Sequence, residues 1–286
     1  MRRDEQIEIR PLCGEDVPAA MRLKNLARWN QTEDDWRRLL ALEPRGCFAA
    51  TVGGRVVATT TTTAYGRDLA WIGMVLVHPE YRRRGIATRL MRAALEYLRG
   101  EKVATVKLDA TPDGHQVYEN LGFEFELLIE RWSGVARAAA SSECTKLDVS
   151  ILPEVFAFDR RAFGADRSEL IELLARDATI ALSISNGPNG QLNGYALARR
   201  GTAAAYVGPV VASDAATATA LLDGVLNQLA GEQVYVDVNT DFESGTREMI
   251  VREFVKQRDL IRMRYGEKSD AGTSASVFAI AGPEVG

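Results

Sequence analysis

The chain has 286 residues, of which 46 % are hydrophobic and 26 % charged, with a net charge of −4. That balance supplies a full apolar core, leaves room for two domains and excludes a globally basic nucleic-acid binder. Three scattered cysteines (Cys13, Cys47, Cys144) with no CxxC, and only two histidines (His78, His115), exclude a disulfide framework and a multi-histidine centre, so no metal is expected. No apolar run approaches the roughly 18 residues of a membrane span, and the N-terminal stretch has no apolar leader core. A cytoplasmic protein with no membrane and no nucleic-acid partner is expected.

In chain order, the alternation of IEIRPL (Ile7–Leu12) predicts a strand, and Asp16 opens a helix to about Arg28. Thr32, with Asp35 three residues on, approximates a capping box for a second helix to about Leu42. Two alternating strands flank Gly53-Gly54, a two-residue hairpin signal. The threonine run Thr59–Thr63 lies on the second of them, three of its side chains facing either solvent or a pocket. Leu69–Val77 (LAWIGMVLV) is continuously apolar and reads as a central strand. A loop and a helix over Ile86–Arg99 follow, then the strand VATVKLDA, a short helix ending at Gly122 and the strand EFELLIERW. The order is β-α-α-β-β-β-α-β-α-β.

Periodicity lapses over residues 133–146, which places a boundary between domains 1–135 and 136–286. The order of elements then repeats. Ala70-Trp71-Ile72-Gly73 matches Ala205-Tyr206-Val207-Gly208, and Thr88-Arg89-Leu90-Met91 matches Thr219-Ala220-Leu221-Leu222. The second copy is shorter between these two matches, where the first copy holds its arginine loop. A mobile loop is expected over Glu267–Ser276.

That loop raises a physical question. Arg82, Arg83 and Arg84 directly precede Gly85 and a helix, although cations at a helix N-terminus oppose its dipole by about 0.3–1 kcal/mol each. An anionic ligand reverses the sign. Backbone N–H groups entering a helix bind anions, Gly85 lets the backbone approach closely, Ala87 keeps the first turn thin, and arginines add charge-assisted bonds to phosphate.

Arg82-x-x-Gly85-x-Ala87, after an apolar strand and before a helix, resembles the Q/R-x-x-G-x-G/A pattern of the GNAT superfamily of acyl-CoA N-acyltransferases. VYENLGF (Val117–Phe123) resembles that family's later tyrosine signature. The resemblance covers residues 7–132 in motif and order, and the second half in layout only. It implies an α/β (α+β) architecture: two tandem GNAT-like domains on a mixed, mostly antiparallel central sheet flanked by helices. It further implies acetyl-CoA as co-substrate, with Val75, Leu76 and Val77 along the pantetheine arm and an amide near Val75 polarising the thioester. The loop from Arg82 and Arg83 through Arg84, Gly85, Ile86 and Ala87 to Thr88 would cradle the diphosphate. Tyr118 would protonate the leaving thiolate while a primary amine attacks directly in a ternary complex.

Two departures stand out. Where some family members carry a glutamate base in the central strand, this chain has Trp71, which leaves Asp109, Glu80, Asp237 and Asp241 as candidate carboxylates. Where the family often has an asparagine against the coenzyme, this chain has Thr111 followed by Pro112, while Asn239 holds that slot in the second copy. The second copy also has Met249 in the tyrosine slot and Pro209 in its central strand, so residues 136–286 are expected not to bind acyl-CoA but to wall off the pocket or replace a dimer partner. Trp29 and Asn30 border the expected acceptor site, with Asp109; Trp36 reads as core. The acceptor is a small amine or a peptide lysine. The alternative function is a CoA- or ligand-sensing protein without turnover. Two halves forming an internal pseudo-dimer favour a monomer.

Overall fold

The computed structural model describes residues 6–138, 143–186, 190–267 and 274–286. Residues 139–142 of the expected boundary, residues 187–189 and residues 268–273 of the expected loop lie outside the described residues.

The first half follows the expected order: β1 (Ile7–Pro11), α1 (Val17–Leu26), α2 (Glu33–Leu42), β2 (Phe48–Val52), β3 (Arg55–Tyr65), β4 (Leu69–Val77), α3 (Ile86–Gly100), β5 (Thr105–Ala110), α4 (His115–Glu119) and β6 (Glu124–Val135). Local chemistry sets these bounds. Thr32 and Asp35 form a reciprocal capping box at the start of α2. Gly53 and Gly54 have φ of 55° and 77°, as a tight hairpin turn requires. Trp36 is fully buried beneath α2, as its position predicts.

The second half supplies β7 (Thr145–Lys146), α5 (Leu152–Phe163), α6 (Ser168–Asp177), β8 (Ile180–Asn186), β9 (Gln191–Arg199), β10 (Ala205–Ala212), α7 (Ala215–Gln228), β11 (Gln233–Asn239), α8 (Gly245–Val251), β12 (Val255–Gly266) and β13 (Val277–Ala279). Among the described residues all thirteen strands join one sheet, in the order β1-β2-β3-β4-β5-β12-β6-β11-β13-β10-β9-β8-β7. Only β4–β5 and β10–β11 are parallel.

The halves exchange a strand. β6, which ends the first half in sequence, pairs with β11 of the second. β12 of the second pairs with β5 of the first, and β6 and β12 lie side by side at the centre. Each half thus completes its sheet with the other's strand, and one apolar core carries Trp36, Tyr65 and Trp71 together with Leu152, Tyr195 and Ile280. β13 lies between β11 and β10, so the last strand completes the second half. The segment after it, residues 280–286, is buried against the first half: the Trp71 indole donates to Pro283 O (3.1 Å) and the Tyr65 hydroxyl to Val285 O (2.7 Å).

The threonine run departs from expectation. All five side chains are buried, lining neither solvent nor the pockets described below; Thr59, Thr60 and Thr62 donate to the backbone at Met74, Gly73 and Gly46, while the Thr61 and Thr63 hydroxyls find no partner among the described residues. No helix among the described residues is long and apolar enough to cross a membrane.

Candidate active site: a groove, a chamber and an acid in each wall

β4 begins as an ordinary central strand, pairing in parallel with β5 over Leu69–Trp71. Its ladder with β3 then slips between Thr59 and Thr61, and Met74 opposite the slip has φ of 49°. A bulge of this kind bends a strand, and a non-glycine residue held at positive φ marks a backbone that its surroundings over-determine. Beyond the bend Val75, Leu76 and Val77 have left β5, so among the described residues that edge of β4 carries no ladder partner.

The chain then turns through Pro79–Tyr81, where His78 Nδ1 accepts from Glu80 N (3.3 Å). Arg83 (φ 59°) and Gly85 (φ 71°) are both left-handed. The first intrahelical bond runs from Arg89 N to Gly85 O (3.1 Å). Upstream of it, the amides of Arg83, Gly85, Ile86, Ala87 and Thr88 make no hydrogen bond among the described residues. Nothing lies within 4 Å of where a Cβ on Gly85 would sit. The result is an open row of donors at a dipole's positive end, an anion site in geometry as well as in sequence. Arg82 Nε donates to Val77 O (3.3 Å), and Arg84 stacks over Tyr81 (5.3 Å).

These elements line a groove of about 750 Å³. Of the predicted coenzyme residues, Val75 to Val77, Arg82, Arg83, Gly85 to Thr88 and Thr111 all border it, as do Trp29 and Tyr118; Arg84 does not. At its Trp29–Tyr118 end the groove meets a more enclosed chamber, which adds Gln31, Gly73, Asp109, Arg131, Leu260 and Glu284, while Arg258 borders both spaces.

Tyr118 is held by its short helix with the ring edge-on to Phe123. Its hydroxyl has no hydrogen-bond partner among the described residues. Burial pushes the phenol above its ordinary range, so it stays protonated.

Two of the candidate bases, Asp109 in the chamber wall and Asp237 outside both spaces, are committed to arginines. Asp109 accepts both branches of Arg262 (2.8 and 3.0 Å), whose guanidinium lies over Trp71 at 4.6 Å. Asp237 accepts both branches of Arg131 (2.7 and 2.6 Å) and the Tyr206 hydroxyl (3.0 Å). Of the other candidate bases, Glu80 is exposed on the turn before the loop and Asp241 lines neither space. Asn30 also lines neither. It clamps the second half, taking Ala203 N and Ala204 N on Oδ1 and donating to Ala204 O.

The carboxylate that the sequence did not reveal is Glu284. It sits against Gly73, where an added Cβ would lie 2.7 Å from Glu284 Cα. Its Oε2 accepts from Gln31 Nε2 (2.8 Å) and its Oε1 from Arg199 Nη2 (3.2 Å). Burial pushes its carboxyl above the usual range, against the pull of Arg199. The segment packed on Trp71 therefore brings a carboxylate beside the strand position where the resemblance expected one. No local signal marks it, because only the fold brings residue 284 to residue 73.

A profile of the acetyltransferase (GNAT) family matches residues 17–123, and one of the acetyltransferase (GNAT) domain matches residues 155–279. The chain is 26 % identical over 268 residues to the uncharacterized N-acetyltransferase YitH of Bacillus subtilis, covering 92 % of this chain and 93 % of that one. It is 25 % identical over 266 residues to the holothin acyltransferase of a Pseudoalteromonas species, covering 91 % and 87 %. In fold it is similar to a Pyrococcus horikoshii protein (TM-score 0.85, 23 % identity, 98 % and 96 % covered) and to a tandem GNAT protein from the clavulanic acid biosynthesis pathway (TM-score 0.65, 18 % identity, 93 % and 100 % covered). With one match in each half and full-length relatives of the same kind, the chain belongs to the GNAT family and carries two GNAT domains in tandem.

Proposed function

We propose that the protein is an acyl-CoA-dependent N-acyltransferase that transfers an acetyl group from acetyl-CoA to a primary amine in a ternary complex. The observation that carries this reading is the set of amides at Arg83 and from Gly85 to Thr88 that stay open among the described residues, in one groove with the Val75–Val77 edge and Tyr118. The amides and Arg82 suit a diphosphate. The Val75–Val77 edge suits the amide-bearing pantetheine arm, as an added strand.

The chemistry follows from what lies at the inner end. An ammonium near pKa 10 must lose a proton before it attacks, and Glu284, whose carboxyl burial pushes above its ordinary range, takes that proton in the chamber. A donor near Val75 holds the thioester oxygen as charge develops there. The C–N bond forms and the C–S bond breaks; Tyr118, kept neutral by burial, gives its proton to the departing sulfur, and the second amine proton, released as the amide forms, restores the Tyr118 phenol. The enclosure of the chamber by Trp29, Pro283 and Glu284 favours a small amine over a peptide lysine. The acyltransferase names of the full-length relatives support the reaction class.

The test is thiol release from acetyl-CoA in the presence of a panel of primary amines. Tyr118→Phe is expected to lower kcat by about 10²-fold, within the range of general acid catalysis, with acetyl-CoA affinity unchanged. Unchanged kcat would remove Tyr118 as the acid, and no amine-dependent thiol release from the wild type would remove the activity.

A further inference from the structure

Among the described residues the charges around the chamber are neutralised in pairs, except that of Arg258. Arg131 is matched by Asp237, Arg262 by Asp109, and Arg199 by Glu284 and Asp35. Arg258 has no ion pair and no hydrogen bond among the described residues, and its Nε is shielded from water without a partner. Its neighbour across the strands is Arg131, a like charge, and Asp237 beyond it is already filled by Arg131 and Tyr206. Burial and the Arg131 charge push the guanidinium below its ordinary range, the direction expected of a cation lacking a counter-ion.

The position of Arg258 narrows what could satisfy it. It borders the groove and the chamber together, beside Trp29, Thr111 and Tyr118. That is the end where acyl group and amine meet, with Val75 between it and the loop that suits the coenzyme's phosphates. A half-buried guanidinium without an anion is costly, and its planar fork fits a carboxylate in two parallel bonds. Resting on the N-acyltransferase reading above, we propose that Arg258 binds a carboxylate carried by one of the two substrates. Either the acceptor is an amine that also bears a carboxylate, with its amine toward Glu284, or the acyl group is that of a dicarboxylic acid.

The experiment compares wild type with Arg258→Gln and Arg258→Lys. Arg258 makes no ion pair whose loss would unfold the chain, and the lysine keeps the charge. One arm measures dissociation constants of acetyl-CoA and succinyl-CoA by calorimetry. The other measures thiol release from acetyl-CoA with matched acceptors: L-α-amino acids and their decarboxylated amines. The wild type should favour the carboxylate-bearing member in one arm by about 10- to 100-fold, and that arm names the source. Arg258→Gln should abolish the preference and Arg258→Lys should keep part of it. Absence of a preference in both arms, or a preference that survives Arg258→Gln, overturns the proposal. So does a uniform fall in kcat for charged and uncharged partners alike, which would make Arg258 a donor to the thioester oxygen. Acetyl-CoA affinity should be equal in wild type and variants. Failure of the wild type to bind acetyl-CoA would instead defeat the coenzyme reading on which this inference stands.

Discussion

The two halves build the same opening and treat it in opposite ways. In the first, β4 leaves β5 after Trp71, and α3 starts from Gly85 with its amides open. In the second, β10 pairs with β11 over Ala205–Val207 and then parts from it, but β13 fills the gap. Ala279 lies opposite both Val210 of β10 and Val238 of β11. The N-terminus of α7 is closed as well, since Asp214 accepts from Thr217 N (2.8 Å). Asp214 holds the N-cap position that Gly85 holds in α3. The tyrosine has its counterpart in Met249: Phe123 N donates to Tyr118 O as Phe254 N donates to Met249 O, each at 3.0 Å. A splayed strand and a helix start leave polar backbone groups that something must satisfy. The second half satisfies them with the chain's own atoms, and the first leaves its loop amides open among the described residues.

Three substitutions test that contrast. The largest effect is expected from Gly85→Asp, which gives the first half the residue type of the second. The space above Gly85 is open, and its left-handed φ costs an aspartate only about 1–2 kcal/mol, so the fold should persist. A carboxylate facing the diphosphate should abolish acetyl-CoA binding in calorimetry, and normal affinity would break the contrast.

Glu284→Gln comes next. Wild-type kcat/KM should rise with pH through an ionisation above the ordinary 4.5 of a glutamate, and the variant should lose that limb along with about 10²-fold in rate. Stability carries a second sign. A carboxyl whose pKa is raised by folding favours the fold below its ordinary range and loses that contribution as pH rises through the raised value. Melting temperature measured against pH should therefore decline over that window in the wild type and stay flatter in the variant. A retained rate limb would move the base elsewhere.

The smallest effect belongs to Asp214→Ala. It should cost about 1 kcal/mol of stability in denaturant unfolding, as a lost N-cap does. It should create no second coenzyme site, because β13 still fills the slot. A second site in that variant would mean that the cap alone had closed it.

What the sequence revealed was local in cause. The apolar run of β4, the Gly53-Gly54 turn, the Thr32–Asp35 cap, the arginine loop and the tyrosine helix all follow from residues within a few positions of one another. What stayed hidden depends on distant partners. The exchange of β6 and β12 is a choice between sheet edges that periodicity does not encode. Asp109 was legible as an acid but not as the partner of Arg262, and Asn30 was legible as polar but not as the clamp on Ala203 and Ala204. Glu284 and Arg258 carry no motif, and acquire meaning only where residues 258 and 284 meet Tyr118 and Gly73.

On the proposed reading, the first half's opening takes coenzyme while β13 fills the second half's. Titration calorimetry of the wild-type protein with acetyl-CoA tests it most directly. One acetyl-CoA should bind per chain; two per chain, or none, would contradict that division between the halves.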